Sequence, residues 1–199
     1  MRGILFKPDM IKAIVEGRKT KTRRIVKPEP DNLELLKRWC KPRYLPGETV
    51  YIKEAWQIFG YRFLEWAKIR YALDGAVKQV IWDDWLEKNT VYGAGGDTEW
   101  RTPMFLREAF ARYFIKIKAV EPQRLQEITE EDAKAEGFNE WEYNNPDAYA
   151  DFPCTNQFIQ TWDSINKPPY EWQANPWVWR YEFVVQPRGR EIAPNTDRR

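Results

Sequence analysis

The sequence contains no histidine. That excludes Ser-His-Asp and Cys-His devices and histidine-ligated metal sites. Any proton transfer must use Lys, Glu, Asp, Tyr, Cys or water. Cysteine is nearly absent. Cys40 and Cys154 cannot supply a zinc site of four thiolates, and they follow no disulfide framework. They read as reduced thiols, as in a cytoplasmic protein. No apolar run approaches the roughly 18 residues of a membrane-spanning helix, and no signal-peptide pattern is visible, so no membrane partner is expected. An excess of one charge is also lacking: 32 Lys and Arg stand against 30 Asp and Glu, a net charge of +2.

What the chain does have is aromatic area: 11 Trp, 10 Tyr and 10 Phe in 199 residues. With charge nearly cancelled, this favours a folded chain over a disordered one. The length fits one domain with an insertion. Residues 1–187 are read as that domain. Residues 188–199 lose periodicity, gain charge, and are read as a disordered tail.

Hydrophobic periodicity places the elements. Residues 2–6 read as a strand. A helix follows between Pro8 and Gly17, with Met10, Ile11, Ile14 and Val15 as its stripe. A short strand is expected at IVKP, then a long proline-rich connection with one amphipathic patch, Leu33 to Trp39. Strands are expected at TVYIKEAW and at IRYAL, closed by Asp74 and Gly75. Residues 76–101 read as an insertion with a helix near 79–87 and a glycine loop at Gly93, Gly95 and Gly96. Tyr113, Ile115, Ile117 and Ala119 alternate as a strand. Thr129 and Asp132 form a capping-box pattern for a helix ended by Gly137. Phe158, Ile159, Trp162 and Ile165 mark another helix. Trp177, Trp179, Tyr181, Phe183 and Val185 alternate through a last strand. Strands and helices that do not repeat as βαβ argue an α+β fold built on a small mixed β-barrel with peripheral helices.

Charge balances overall but not locally. Residues 1–27 carry nine Lys and Arg against Asp9 and Glu16. Such density is an electrostatic footprint for phosphate or a polyanion, or a solvated basic loop. Residues 127–151 lean acidic but lack the spacing of a calcium loop. No phosphate-loop context surrounds the glycines at 93–96. Metals and cofactors are therefore not expected.

The segment from Gly17 to Arg24, GRKTKTRR, resembles the GxKxxTxR signature of the ASCH family, a branch of the PUA-like barrels. The context is similar to phage-encoded members of that family. ILF stands at 4–6, a turn at Pro46-Gly47-Glu48, Glu54-Ala55-Trp56 at a strand end and a turn from Tyr71 to Gly75. An aromatic and arginine segment follows from Arg107 to Arg112, then Arg124 to Gly137 and a closing stretch from Asn175 to Trp179. Order and number carry the likeness, over residues 2 to about 186.

The resemblance implies a site. Bacterial ASCH proteins that deacetylate N4-acetylcytidine use a Lys and a Thr of the signature and a distant Glu. Here these correspond to Lys19, Thr22 and Glu136, with Arg24 as the signature's arginine. A Lys desolvated in such a site loses basicity and can act as a base near neutral pH. It would activate Thr22 or a water, while Glu136 protonates the leaving amine and Arg24 supports the oxyanion. Trp56 and Tyr71 are read as substrate-binding, stacking on a base in a pocket in preference to filling the core, and Arg107 as contacting substrate. Arg18, Lys21, Arg23 and Lys27 are candidates for nucleic-acid phosphates. The expected partner is a nucleoside, a nucleotide or single-stranded nucleic acid. The alternatives are a non-catalytic RNA- or modified-base-binding module, a ribonuclease, and a phage assembly accessory protein.

Overall fold

A computed structural model describes residues 1–62, 65–89, 99–139 and 152–186. The glycine loop at 93–96, most of the acidic stretch beyond residue 139 and the tail at 188–199 lie outside the described residues. The chain forms two compact units. The first comprises Met1–Pro8, Val50–Phe114 and Gln186–Arg199, the second Asp9–Thr49 and Ile115–Val185.

In the first unit, β1 (Gly3–Leu5) lies parallel to β3 (Thr49–Lys53). A meander of β4 (Trp56–Arg62), β5 (Trp66–Tyr71) and β6 (Val77–Ile81) follows, with a register shift between Ile58 and Gly60. Then comes α3 (Asp84–Asn89). Along β5, residues alternate between buried and half-exposed, as a sheet with one covered face requires. Trp56, Ile58, Ile69, Tyr71, Leu86 and Phe110 fill this core. The stretch read as an insertion supplies β6 and α3. Its predicted helix begins five residues late, because residues 77–81 complete the meander instead.

The second unit holds α1 (Pro8–Val15), β2 (Lys21–Ile25), α2 (Leu33–Trp39), β7 (Phe114–Arg124), α4 (Glu130–Ala135), α5 (Pro153–Ile165) and β8 (Trp177–Gln186). Its core joins Leu125, Ile128, Ala133, Cys154, Phe158, Trp162 and Val178. β2 starts four residues earlier than expected, inside the basic segment. Antiparallel pairing with β8, from Lys21 opposite Glu182 to Ile25 opposite Val178, draws the charged residues into the sheet. The long connection is partly helical. Asn32 caps α2 by accepting from the Leu35 amide at 2.9 Å, and Leu36 is the buried anchor.

The α+β class is as expected, but the described strands do not close into a barrel. In the second unit the strand order is β7-β8-β2, while in the first β1 pairs with β3 and β4-β5-β6 form a sheet of their own. Closure requires the edge strands to pair. β1 has only three residues, and the chain between β3 and β7 spends its strands on a separate sheet.

Candidate functional site

Two periodicities meet in the second unit. Asp132 in the first turn of α4 and Glu136 at its C-cap stand one helical turn apart, so they share a face. Lys21 and Arg23 share a face of β2, two residues apart, and Lys19 lies just before the strand. Backbone bonds fix the juxtaposition: the Lys19 amide donates to Ala13 at 3.0 Å and the Thr20 amide to Ala135 at 2.8 Å. Thr129 caps α4 by accepting from the Asp132 amide at 3.2 Å. Gly137 ends it with φ +100, and a Cβ there would stand 3.0 Å from Ala13 Cβ and 3.1 Å from Lys19 Cβ. Only glycine meets both demands.

The side chains form a closed ion cluster. Lys19 Nζ donates to Glu136 Oε2 at 2.6 Å and to the Glu136 carbonyl at 2.7 Å. Arg23 donates to Glu136 Oε1 at 3.2 Å and, more closely, to Asp132 Oδ2. Lys21 donates to Asp132 Oδ1 at 2.6 Å, and Arg180 approaches the same oxygen at 3.9 Å. Lys19 and Glu136 are 1% and 4% exposed. The Arg23 Nε is buried with no hydrogen-bond partner among the described residues, and its guanidinium lies 5.8 Å from the Phe158 ring. Burial lowers the basicity of Lys19, with Glu136 pulling the other way. Burial alone would raise the Asp132 pKa, but Lys21 and Arg23 outweigh it and hold the carboxyl below its ordinary range. A buried amine hydrogen-bonded to a carboxylate is a proton-transfer pair: moving one proton across the bond yields a neutral amine and a carboxylic acid.

Thr22 is buried on the opposite face of β2 from Lys21 and Arg23, in register with Tyr181. The Tyr181 hydroxyl accepts from the Arg43 amide at 3.1 Å, and its ring meets Tyr44 edge-on at 5.7 Å. Arg24 donates to the Arg23 carbonyl at 3.2 Å. Burial lowers its pKa, and Glu136, Tyr44 and Tyr181 oppose that shift. Arg24 thus feels both Glu136 and the tyrosines on the Thr22 side. Among the predicted phosphate contacts, Arg18 is exposed, holding Glu16 at 2.7 Å and the Gly137 carbonyl at 2.8 Å. Lys27 is exposed beside the Tyr170 ring at 4.6 Å. Lys21 and Arg23 point instead into the cluster.

The other predicted residues belong to the first unit. Trp56 and Tyr71 are fully buried. Trp56 packs on Phe110, and the Tyr71 hydroxyl donates to the Phe110 carbonyl. The pocket expected for both is replaced by core packing, because Phe110 and its neighbours cover the rings. Arg107 pairs with Asp83 at 2.6 Å and lines an open cleft of about 530 Å³ with Asp83, Asp84, Trp85 and Lys88. Sequence reasoning missed two groupings. Asp132, read as a capping residue, anchors the cluster; its spacing of four from Glu136 was the available signal. Arg112 joins Glu54 and Asp74 over the Tyr71 ring, so three of the quoted motifs converge on one half-buried arginine.

No protein-family model matches the chain, and no curated protein matches its sequence. Two solved structures are similar in fold. A protein of Enterococcus faecalis from the DUF984 family is 12% identical, with a TM-score of 0.43 over 93% of this chain and 80% of its own. An ASCH domain from Lactobacillus crispatus is 11% identical, with a TM-score of 0.38 over 92% and 78%.

Proposed function

We propose that the second unit is a nucleoside-directed amidohydrolase that removes an acyl group from N4-acylated cytosine. The observation that carries this reading is the buried Lys19 amine 2.6 Å from the Glu136 carboxylate, in a chain without histidine. The resemblance of GRKTKTRR to the ASCH signature supplies the substrate class. The neutral Lys19 amine accepts the proton of a water, since Thr22 faces away from the cluster toward Tyr181. The freed oxygen adds to the acyl carbonyl, and Arg24 supports the oxyanion. Glu136 as the acid protonates the exocyclic nitrogen while the C–N bond breaks. Acyl-nucleoside and water become carboxylate, a proton and free amine, with no redox partner.

The degree of closure favours a second reading. Lys19, Arg23 and Glu136 are nearly sealed from solvent and neutralise one another, as suits a brace beneath a surface that binds a nucleotide without turning it over. Hydrolysis of N4-acetylcytidine, followed by chromatography, separates the two. The proposal expects cytidine release that is lost in Lys19→Ala and Glu136→Gln. No release by the native protein, with cytidine still bound, supports the binding module. Release that survives in Lys19→Ala overturns the assignment of the base.

A further inference from the structure

The connection between β2 and β3 holds a feature that neither the cluster nor the core uses. Residues 37–44, KRWCKPRY, carry four cations and no carboxylate. The backbone is pinned at both ends: Leu36 is fully buried and accepts from the Cys40 amide at 2.9 Å, and Tyr44 is 3% exposed. Between these anchors Lys37, Arg38, Trp39, Lys41 and Arg43 all face solvent. Trp39 is 71% exposed, an unusual fate for the largest apolar side chain. The Arg38 guanidinium lies 5.2 Å from its ring and that of Arg43 5.7 Å from Tyr44. Folding gains little from a bare tryptophan, whereas a ligand with flat faces gains a stacking platform.

We infer that this tract grips a single-stranded nucleic acid, with Trp39 stacking on a base and Lys37, Arg38, Lys41 and Arg43 on successive phosphates. Charge selects a polyanion, and the aromatic among the cations selects one with exposed bases. A duplex hides its base faces. The tract also leads toward the candidate site: the Arg43 amide donates to Tyr181, and Tyr181 stands opposite Thr22 across β2 and β8. Resting on the reading proposed above, the tract makes a cytosine within a strand, rather than a free nucleoside, the substrate.

Fluorescence anisotropy with a fluorescein-labelled 12-nucleotide single-stranded RNA, across 50–200 mM salt, tests the tract. Trp39→Ala is expected to weaken binding between about 5-fold and 150-fold, the range of a lost base stack. Lys41→Ala is expected to lower the slope of log affinity against log salt by about 0.7. All the substituted side chains are exposed, so circular dichroism should show an intact fold. Hydrolysis of free N4-acetylcytidine should be unchanged in Trp39→Ala. A DNA strand of the same sequence, if it also depends on Trp39, supports the tract and extends it to both sugars. Trp39-dependent RNA binding in a protein that releases no cytidine supports the tract while the hydrolase reading fails. Native-like RNA binding by Trp39→Ala overturns the inference, and so does binding to anionic vesicles without binding to RNA.

Discussion

Lys19→Met removes the ammonium from a buried pair and leaves the Glu136 carboxylate almost sealed from water. Breaking such a pair by deleting one partner costs about 3–5 kcal/mol. Arg23, 3.2 Å from the other carboxylate oxygen, still compensates part of that charge and puts the expected loss near 3 kcal/mol. Replacing both partners, Lys19→Met with Glu136→Met, removes both the attraction and the desolvation penalty, and buried pairs exchanged for apolar ones are often neutral. The double variant should therefore be more stable than Lys19→Met by about 2 kcal/mol, although it carries one more change. Urea unfolding at pH 7, read by circular dichroism, measures all four corners of the cycle. If the two single losses add to within about 0.5 kcal/mol of the double, the residues are not coupled and the reasoning fails.

Other consequences are as concrete. Gly137→Ala should cost at least about 2 kcal/mol, since it meets a left-handed φ and two close Cβ atoms. Gly17→Ala, with φ +78 but open space, should cost about 1 kcal/mol on the same unfolding assay. Asn32→Ala should cost about 1 kcal/mol by uncapping α2. Asp132 is held below its ordinary 3.8, so its contribution is full above that value and lost as pH falls through the folded one. An acid-unfolding titration of Asp132→Asn should show a shallower acid limb. Lys19 is depressed from 10.5, so the folded state binds fewer protons than the unfolded between the two values. Stability should then rise with pH across that window, whereas kcat/KM for N4-acetylcytidine should fall through the folded pKa, because the pair then loses the one proton that Glu136 delivers as the acid.

Much of the architecture was legible because it rests on local rules. The stripe of Ile11 and Ile14, the Thr129 cap and the alternation of Trp177, Trp179, Tyr181 and Phe183 each announce their element in a few residues. The join of Lys19 to Glu136, 117 positions apart, came from the resemblance rather than from spacing. The misplaced features share one cause, which is that neighbours decide them. β2 extends through TRR because β8 and α4 accept its charges, and residues 77–81 become a strand because β5 offers an edge. Asp132 could be read as a cap from sequence, but its carboxylate turns to Lys21 and Arg23, which no local pattern reports. Trp56 and Tyr71 are equally suited to a pocket or a core, and packing on Phe110 decides between them.

The most direct test of the central claim is to locate the ligand. Titrating the isotope-labelled protein with cytidine and N4-acetylcytidine, and following amide resonances by NMR, should shift Lys19, Thr20, Thr22, Glu136 and Gly137 together. Shifts confined to Trp85, Lys88 and Arg107 around the cleft of the first unit, with the second unit silent, would contradict it.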